Sequence, residues 1–152
     1  MFEGATGPDL AAALAEPDVA TLTDDGVLDT IAGWERVSRW AAAMSLAAVD
    51  ELEQRRPGRD AEFVQDEIAL ALRISRMAAG GRLVLAIQLR RLPGVRAALQ
   101  AGDLDVTKAR IVADAVQPLD DAAATRVEQR VLPRAAEQTP GQLRAACERA
   151  VL

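Results

Sequence analysis

Phe63 to Leu92 reads FVQDEIALALRISRMAAGGRLVLAIQLRRL, and the fold turns on how this stretch is read. Two helical patterns meet at Arg73-Ile74-Ser75. The first, Val64 to Leu72, places apolar residues at Val64, Ile68, Ala69, Ala71 and Leu72. The second, Ser75 to Arg91, places them at Met77, Ala78, Ala79, Leu83, Val84, Ala86, Ile87 and Leu89. Spacings of three and four put these positions on helix faces. Ser75 suits an N-cap, because its hydroxyl can accept an otherwise orphaned N–H of the first turn. Two helices, a three-residue joint and a capped second helix make a helix-turn-helix-like hairpin. Ala69 is small where the helices must touch, and Ile74 is placed to plug the core under the joint.

Arg73, Arg76 and Arg82 stand in or just after the joint. There a DNA-reading helix would meet phosphates or bases, so these three are the candidate DNA contacts. Other features oppose that reading. Arg73 occupies a position where such motifs often have glycine. Gly80-Gly81 falls inside the would-be recognition helix and costs roughly 1 kcal/mol per glycine relative to Ala. Leu83 to Ile87 is apolar on nearly every face, the mark of a buried central helix. The pattern alone leaves two readings open: nucleic-acid contact, or an ordinary hairpin at the middle of a bundle, its glycines allowing close contact or a bend.

Upstream, Thr23 is placed to cap a long helix from Asp24 to about Arg55, with Asp24 and Asp25 favourable to its dipole. Its apolar positions include Val27, Leu28, Ile31, Trp34, Val37, Ala41, Met44, Ala48 and Leu52; Gly33 is a candidate bend. Trp34 is expected in the core, and Trp40 in the core or an interface. Before it come an irregular start over Met1–Pro8 and a short helix, Asp9–Glu16, ended by Pro17. Pro57-Gly58 stops the long helix, and Arg59–Glu62 reads as a polar loop.

Downstream, Pro93-Gly94 precedes a short helix, Val95 to Ala101. Asp105 is placed to cap Val106–Val116, with Ala109, Val112, Ala113 and Val116 inward. Asp120 caps Ala122–Leu132, which Pro133 bends or ends. Thr139-Pro140 starts a last helix carrying Leu143, Ala146, Cys147, Ala150 and Val151. With about eight helices and no convincing strand, the expected fold is an all-α multi-helix bundle. Residues 1–22 read as an N-terminal arm and 23–152 as the helical domain. The last helix is still in full pattern at Leu152, so a continuation is one expectation and a docked natural terminus the other.

Half of the 152 residues are hydrophobic, mostly Ala, Leu and Val, and aromatics make up 3%. Small aliphatic side chains favour closely packed helices. The net charge is −5, which is not the profile of a protein that coats nucleic acid. The charge is uneven: residues 1–60 carry a net −7, residues 61–92 a net +2, and residues 93–152 none. Any DNA binding would therefore be local and salt-sensitive; alternatively, the hairpin arginines pair with the acidic first third.

Without a histidine, a Ser-His or Cys-His dyad, a His-ligated metal and an HNH nuclease centre are impossible within these residues. Gly80-Gly81 lacks the GK[ST] of a phosphate-binding loop. The acidic clusters Asp24-Asp25, Asp50-Glu51-Glu53, Asp66-Glu67 and Asp120-Asp121 read as helix-start charges or solvated faces. Cys147, the only cysteine, lies on an apolar stripe and reads as core. The expectation is no catalytic residue, no metal, no cofactor, no small-molecule substrate and no membrane segment, in a cytoplasmic chain.

Three segments together carry a family resemblance: WERVSRWAAAMSLAAVDEL, the run from Glu67 to Val116, and QTPGQLRAACERAV, Gln138–Val151. In order and spacing, from roughly Leu22 to Leu152, they resemble the domain of unknown function 222, also called the 13E12 repeat family. That resemblance implies an actinobacterial protein, and the helical N-terminal part of an HNH-endonuclease-like protein. It transfers no nuclease residue. The leading expectation is a non-catalytic, DNA-associated helical domain acting on double-stranded DNA. The alternative is a protein-interaction or homodimerisation module that positions a downstream catalytic domain.

Overall fold

In the computed structural model, which describes residues 6–152, the chain is organised on one long helix. It is the second of eight α-helices, and no strand occurs among the described residues. The helices are α1 (Pro8–Ala15), α2 (Asp24–Gln54), α3 (Val64–Leu72), α4 (Arg76–Gln88), α5 (Pro93–Gln100), α6 (Val106–Val116), α7 (Asp121–Ala135) and α8 (Pro140–Val151). The expected all-α bundle is thus observed. The first five residues of the irregular start lie outside the described residues.

The helix starts follow local chemistry. Thr23, Ser75, Asp105, Asp120 and Thr139 each accept a backbone N–H of their own first turn. Thr139 goes further: Gln142 reaches back to its N–H and completes a capping box. α2 runs about 46 Å for its 31 residues. Around it pack α1, α3, α4 and α5, while α6, α7 and α8 form a second group. α5 bridges the two, touching α2, α6 and α7. One continuous core joins them, from Leu46 and Val49 through Leu85, Leu92 and Leu99 to Val112, Val131 and Leu143.

Several boundaries and placements differ from expectation. The polar loop at Arg59–Glu62 is a short 3-10 helix, Gly58–Phe63. The second hairpin helix ends at Gln88 and tightens into a 3-10 turn over Leu89–Arg91. α7 continues through Pro133 to Ala135; the carbonyl that loses its partner there belongs to Gln129, which is exposed to water.

Trp34 is not core: it is 41% exposed. α1 docks on the neighbouring face of α2, about 100° round the helix, where a Cβ at Gly33 would fall 2.7 Å from Leu14 Cδ2. Gly33 therefore admits the buried Leu14. Leu83–Ile87 is not buried all round either, since Val84 and Ile87 are exposed and only Leu85 and Ala86 are fully covered. α4 lies at the side of the bundle, with one face outward.

Candidate nucleic-acid interface

The joint between α3 and α4 closes as a left-handed helix cap. The Arg73 N–H donates to Leu70 O and the Ile74 N–H to Ala69 O, which is the Schellman pairing. Arg73 holds φ 54° and ψ 42°, the one positive-φ non-glycine residue among those described. Glycine would adopt this conformation without the Cβ crowding that Arg73 bears. Ile74 and Ala69 pack against the core beneath the joint. Ser75 Oγ then accepts the Ala78 N–H at 3.1 Å and starts α4.

Gln65 ties the two helices together, its Nε2 donating to Arg76 O at 2.6 Å. A Cβ at Gly80 would fall 2.6 Å from that same Nε2, so Gly80 gives the amide its path across α4. Gly81 opens the next position, where a Cβ would fall 3.2 Å from Arg110 Nη1. The guanidinium of Arg110, from α6, thus lies over the glycine. Nothing in the local pattern of α6 announces this; the glycine pair was the only signal.

The structure divides the three candidate arginines. Arg73, at the joint, is exposed and has no ion-pair or hydrogen-bond partner for its guanidinium among the described residues. Arg76, at the first position of α4, pairs with Asp66 of α3 at 2.9 Å in an exposed setting, a pair worth little and easily exchanged. Arg82 is six residues further on, roughly 120° around the helix. It lines a groove of about 540 Å³ between α2, α4 and α6, together with Ala42, Ser45, Leu46, Val106 and Arg110. Arg82 and Arg110 are exposed and unpaired among the described residues. Met77 and Val84, two turns apart on the outward side of α4, are 84% and 54% exposed. Neither side chain can donate a hydrogen bond to a base edge.

The other basic residues of the hairpin are held in ion pairs. Arg90 binds both Asp50 and Glu53 of α2, and Arg91 binds Asp121. Of the acidic residues, Glu51 pairs with Arg55 and Glu67 with Arg56, and Asp120 caps the start of α7. Among the described residues no group of His, Cys, Asp and Glu could hold a metal ion. Cys147 is a buried free thiol, and burial, with the neighbouring Glu148 charge, pushes its pKa up. No helix described is long and apolar enough to cross a membrane.

Fold and surface together define an all-α domain with a helix-turn-helix-like corner. The chain belongs to the family described as "Domain of unknown function (DUF222)", whose profile matches residues 9–152. It is 37% identical over 110 residues to the uncharacterized protein Rv2100 of Mycobacterium tuberculosis (strain ATCC 25618 / H37Rv), covering 66% of this chain and 20% of that one. It is 34% identical over 110 residues to the uncharacterized protein Rv3776 of the same strain, covering 66% and 21%. The chain thus matches about a fifth of the length of these relatives. No solved structure matches it.

Proposed function

We propose that the chain is a non-catalytic, DNA-associated domain whose α3–α4 corner meets the phosphate backbone through Arg73 and Arg76. The observation that carries this is the joint itself: a left-handed cap at Arg73 followed at once by the capped N-terminus of α4. It presents two arginines where the positive end of the helix dipole emerges. Arg82, turned toward the groove, makes no contact with the same phosphates. Contact is to the backbone and not to bases, because the outward side of α4 is Met77 and Val84. In the longer proteins of the family the domain would hold double-stranded DNA for an HNH-endonuclease-like part, in the cytoplasm. The reading involves no cofactor.

The test is fluorescence anisotropy of random-sequence duplex DNA at low and at moderate salt. Binding by two to four phosphate contacts should weaken steeply with salt, with a log–log slope of about −2 to −4. Replacing Arg73 and Arg76 with Ala should abolish it, and replacing Arg82 alone should not. No binding at low salt, or equal loss in all variants, rejects the assignment.

A second reading, a protein-interaction module, is favoured by a specific observation. Leu28, Ile31 and Trp34 form an exposed apolar row on α2, and surface of this kind marks protein contacts.

A further inference from the structure

The geometry points to a two-fold dimer in which α2 of one copy lies antiparallel along α2 of a second copy of this chain. The inference builds on the interaction reading and uses neither Arg73 nor Arg76. It starts from the way α2 is buried. Near its N-terminus the covered side holds Thr30 and Gly33; further on it holds Ala43, Leu46 and Val49. At 100° per residue, Leu28, Ile31, Trp34, Ser38, Ala42 and Ser45 all fall within roughly one third of the circumference.

This one face has two unlike halves. The N-terminal half projects large apolar side chains, with Leu28 63% and Ile31 55% exposed. The C-terminal half is concave, since Ala42, Ser45 and Leu46 form one wall of the groove between α2, α4 and α6. Between them Ser38 is small, as a close helix crossing needs. A helix that carries knobs on one half and a groove on the other is complementary to itself when reversed. A two-fold axis at Ser38 sets Trp34 against Ala42 of the second copy and Ile31 against Ser45. The same contacts repeat on the other side, as an isologous interface requires.

The charges run the same way. Arg82 and Arg110 line the groove without carboxylate partners among the described residues. Glu35 and Asp24 lie on the projecting half, both exposed and without ion-pair partners among the described residues. Reversal brings the acidic half of one copy to the basic groove of the other, matching opposite potentials across the interface.

Sedimentation equilibrium of the whole chain, from about 1 to 100 µM, tests this, because dimer populations follow protomer concentration by mass action. The expected result is a mass that rises from 16.2 kDa toward twice that value. Ile31→Glu and Trp34→Ala, both at exposed positions, should raise the dissociation constant at least tenfold with the circular dichroism spectrum unchanged. Glu35→Arg and Arg82→Glu should each weaken the dimer, and the two together should restore it. A single-chain mass at every concentration overturns the dimer, as does a dimer indifferent to Ile31→Glu and Trp34→Ala. Neither outcome touches the DNA reading, which the anisotropy of the Arg73 and Arg76 variants decides on its own.

Discussion

The carboxylate of Glu128, on α7, accepts the backbone N–H of Val95 at 2.8 Å inside the protein. Val95 lies in the first turn of α5, whose N-cap residue Leu92 supplies no side-chain cap, so a neighbouring helix provides the missing acceptor. Glu128 is only 5% exposed, at the N-terminal end of α5. Glu128→Ala should cost about 1–3 kcal/mol, because the buried Val95 N–H loses its acceptor. Glu128→Gln keeps an acceptor oxygen and should cost less. Urea denaturation of the two variants measures the difference; equal losses would mean that the carboxylate charge, which both variants remove, and not the acceptor oxygen, matters there.

Lys108 does the converse at the C-terminal end of α7. From α6 its Nζ donates to Ala135 O at 3.0 Å and Ala136 O at 2.9 Å, satisfying carbonyls that a helix end leaves open. Lys108→Met preserves the stem and removes the charge. It should lower stability by about 0.5–2 kcal/mol, and amide exchange in the last turn of α7 should speed up more than exchange in α3. Uniform acceleration would point to a global effect.

How much of this was legible in the sequence follows from range. Thr23, Ser75, Asp105 and Asp120 were readable as caps because each bonds within three residues of itself, and the all-α bundle followed from the periodicity between them. Contacts between helices were not readable. Glu128 and Val95 are 33 positions apart, and Arg110 reaches Gly81 from another helix. Trp34 misled for a related reason. Periodicity shows that α2 has an apolar face; it cannot show that the covered side shifts around the helix between Gly33 and Val49. At the candidate interface, position 73 was readable as a glycine-type site. That Arg82 turns away toward α6 was not, since the side of α4 that packs is set by α2 and α6.

Cys147 gives a pH prediction. Its thiol is 1% exposed, and burial first, then Glu148, raises its pKa above the ordinary 9.0. Below that value the thiol is protonated in both folded and unfolded chains, and its contribution to stability is fully present. As the pH rises past it, the unfolded chain releases the proton and the folded chain keeps it. Stability therefore falls, with a limiting slope of about 1.4 kcal/mol per pH unit. Urea midpoints measured between neutral and alkaline pH should fall more steeply for the native chain than for Cys147→Ala. Iodoacetamide should label Cys147 slowly in buffer and rapidly in denaturant; fast labelling of the folded chain would contradict the burial.

Arg73 separates stability from binding. It holds a left-handed conformation at φ 54° that costs a side-chain-bearing residue about 1–2 kcal/mol, part of which glycine gives back in unfolded-state entropy. Arg73→Gly should therefore stabilise the fold by about 0.5–1 kcal/mol, while Arg73→Ala, which keeps the Cβ, should change it by only a few tenths. If Arg73 meets phosphate, both variants lose DNA affinity to the same extent although only one gains stability. Thermal melts and anisotropy titrations on the same pair of proteins make the comparison. A residue kept for the shape of the joint would give the opposite pattern, with binding following stability, and DNA contact at this corner would then have to be abandoned.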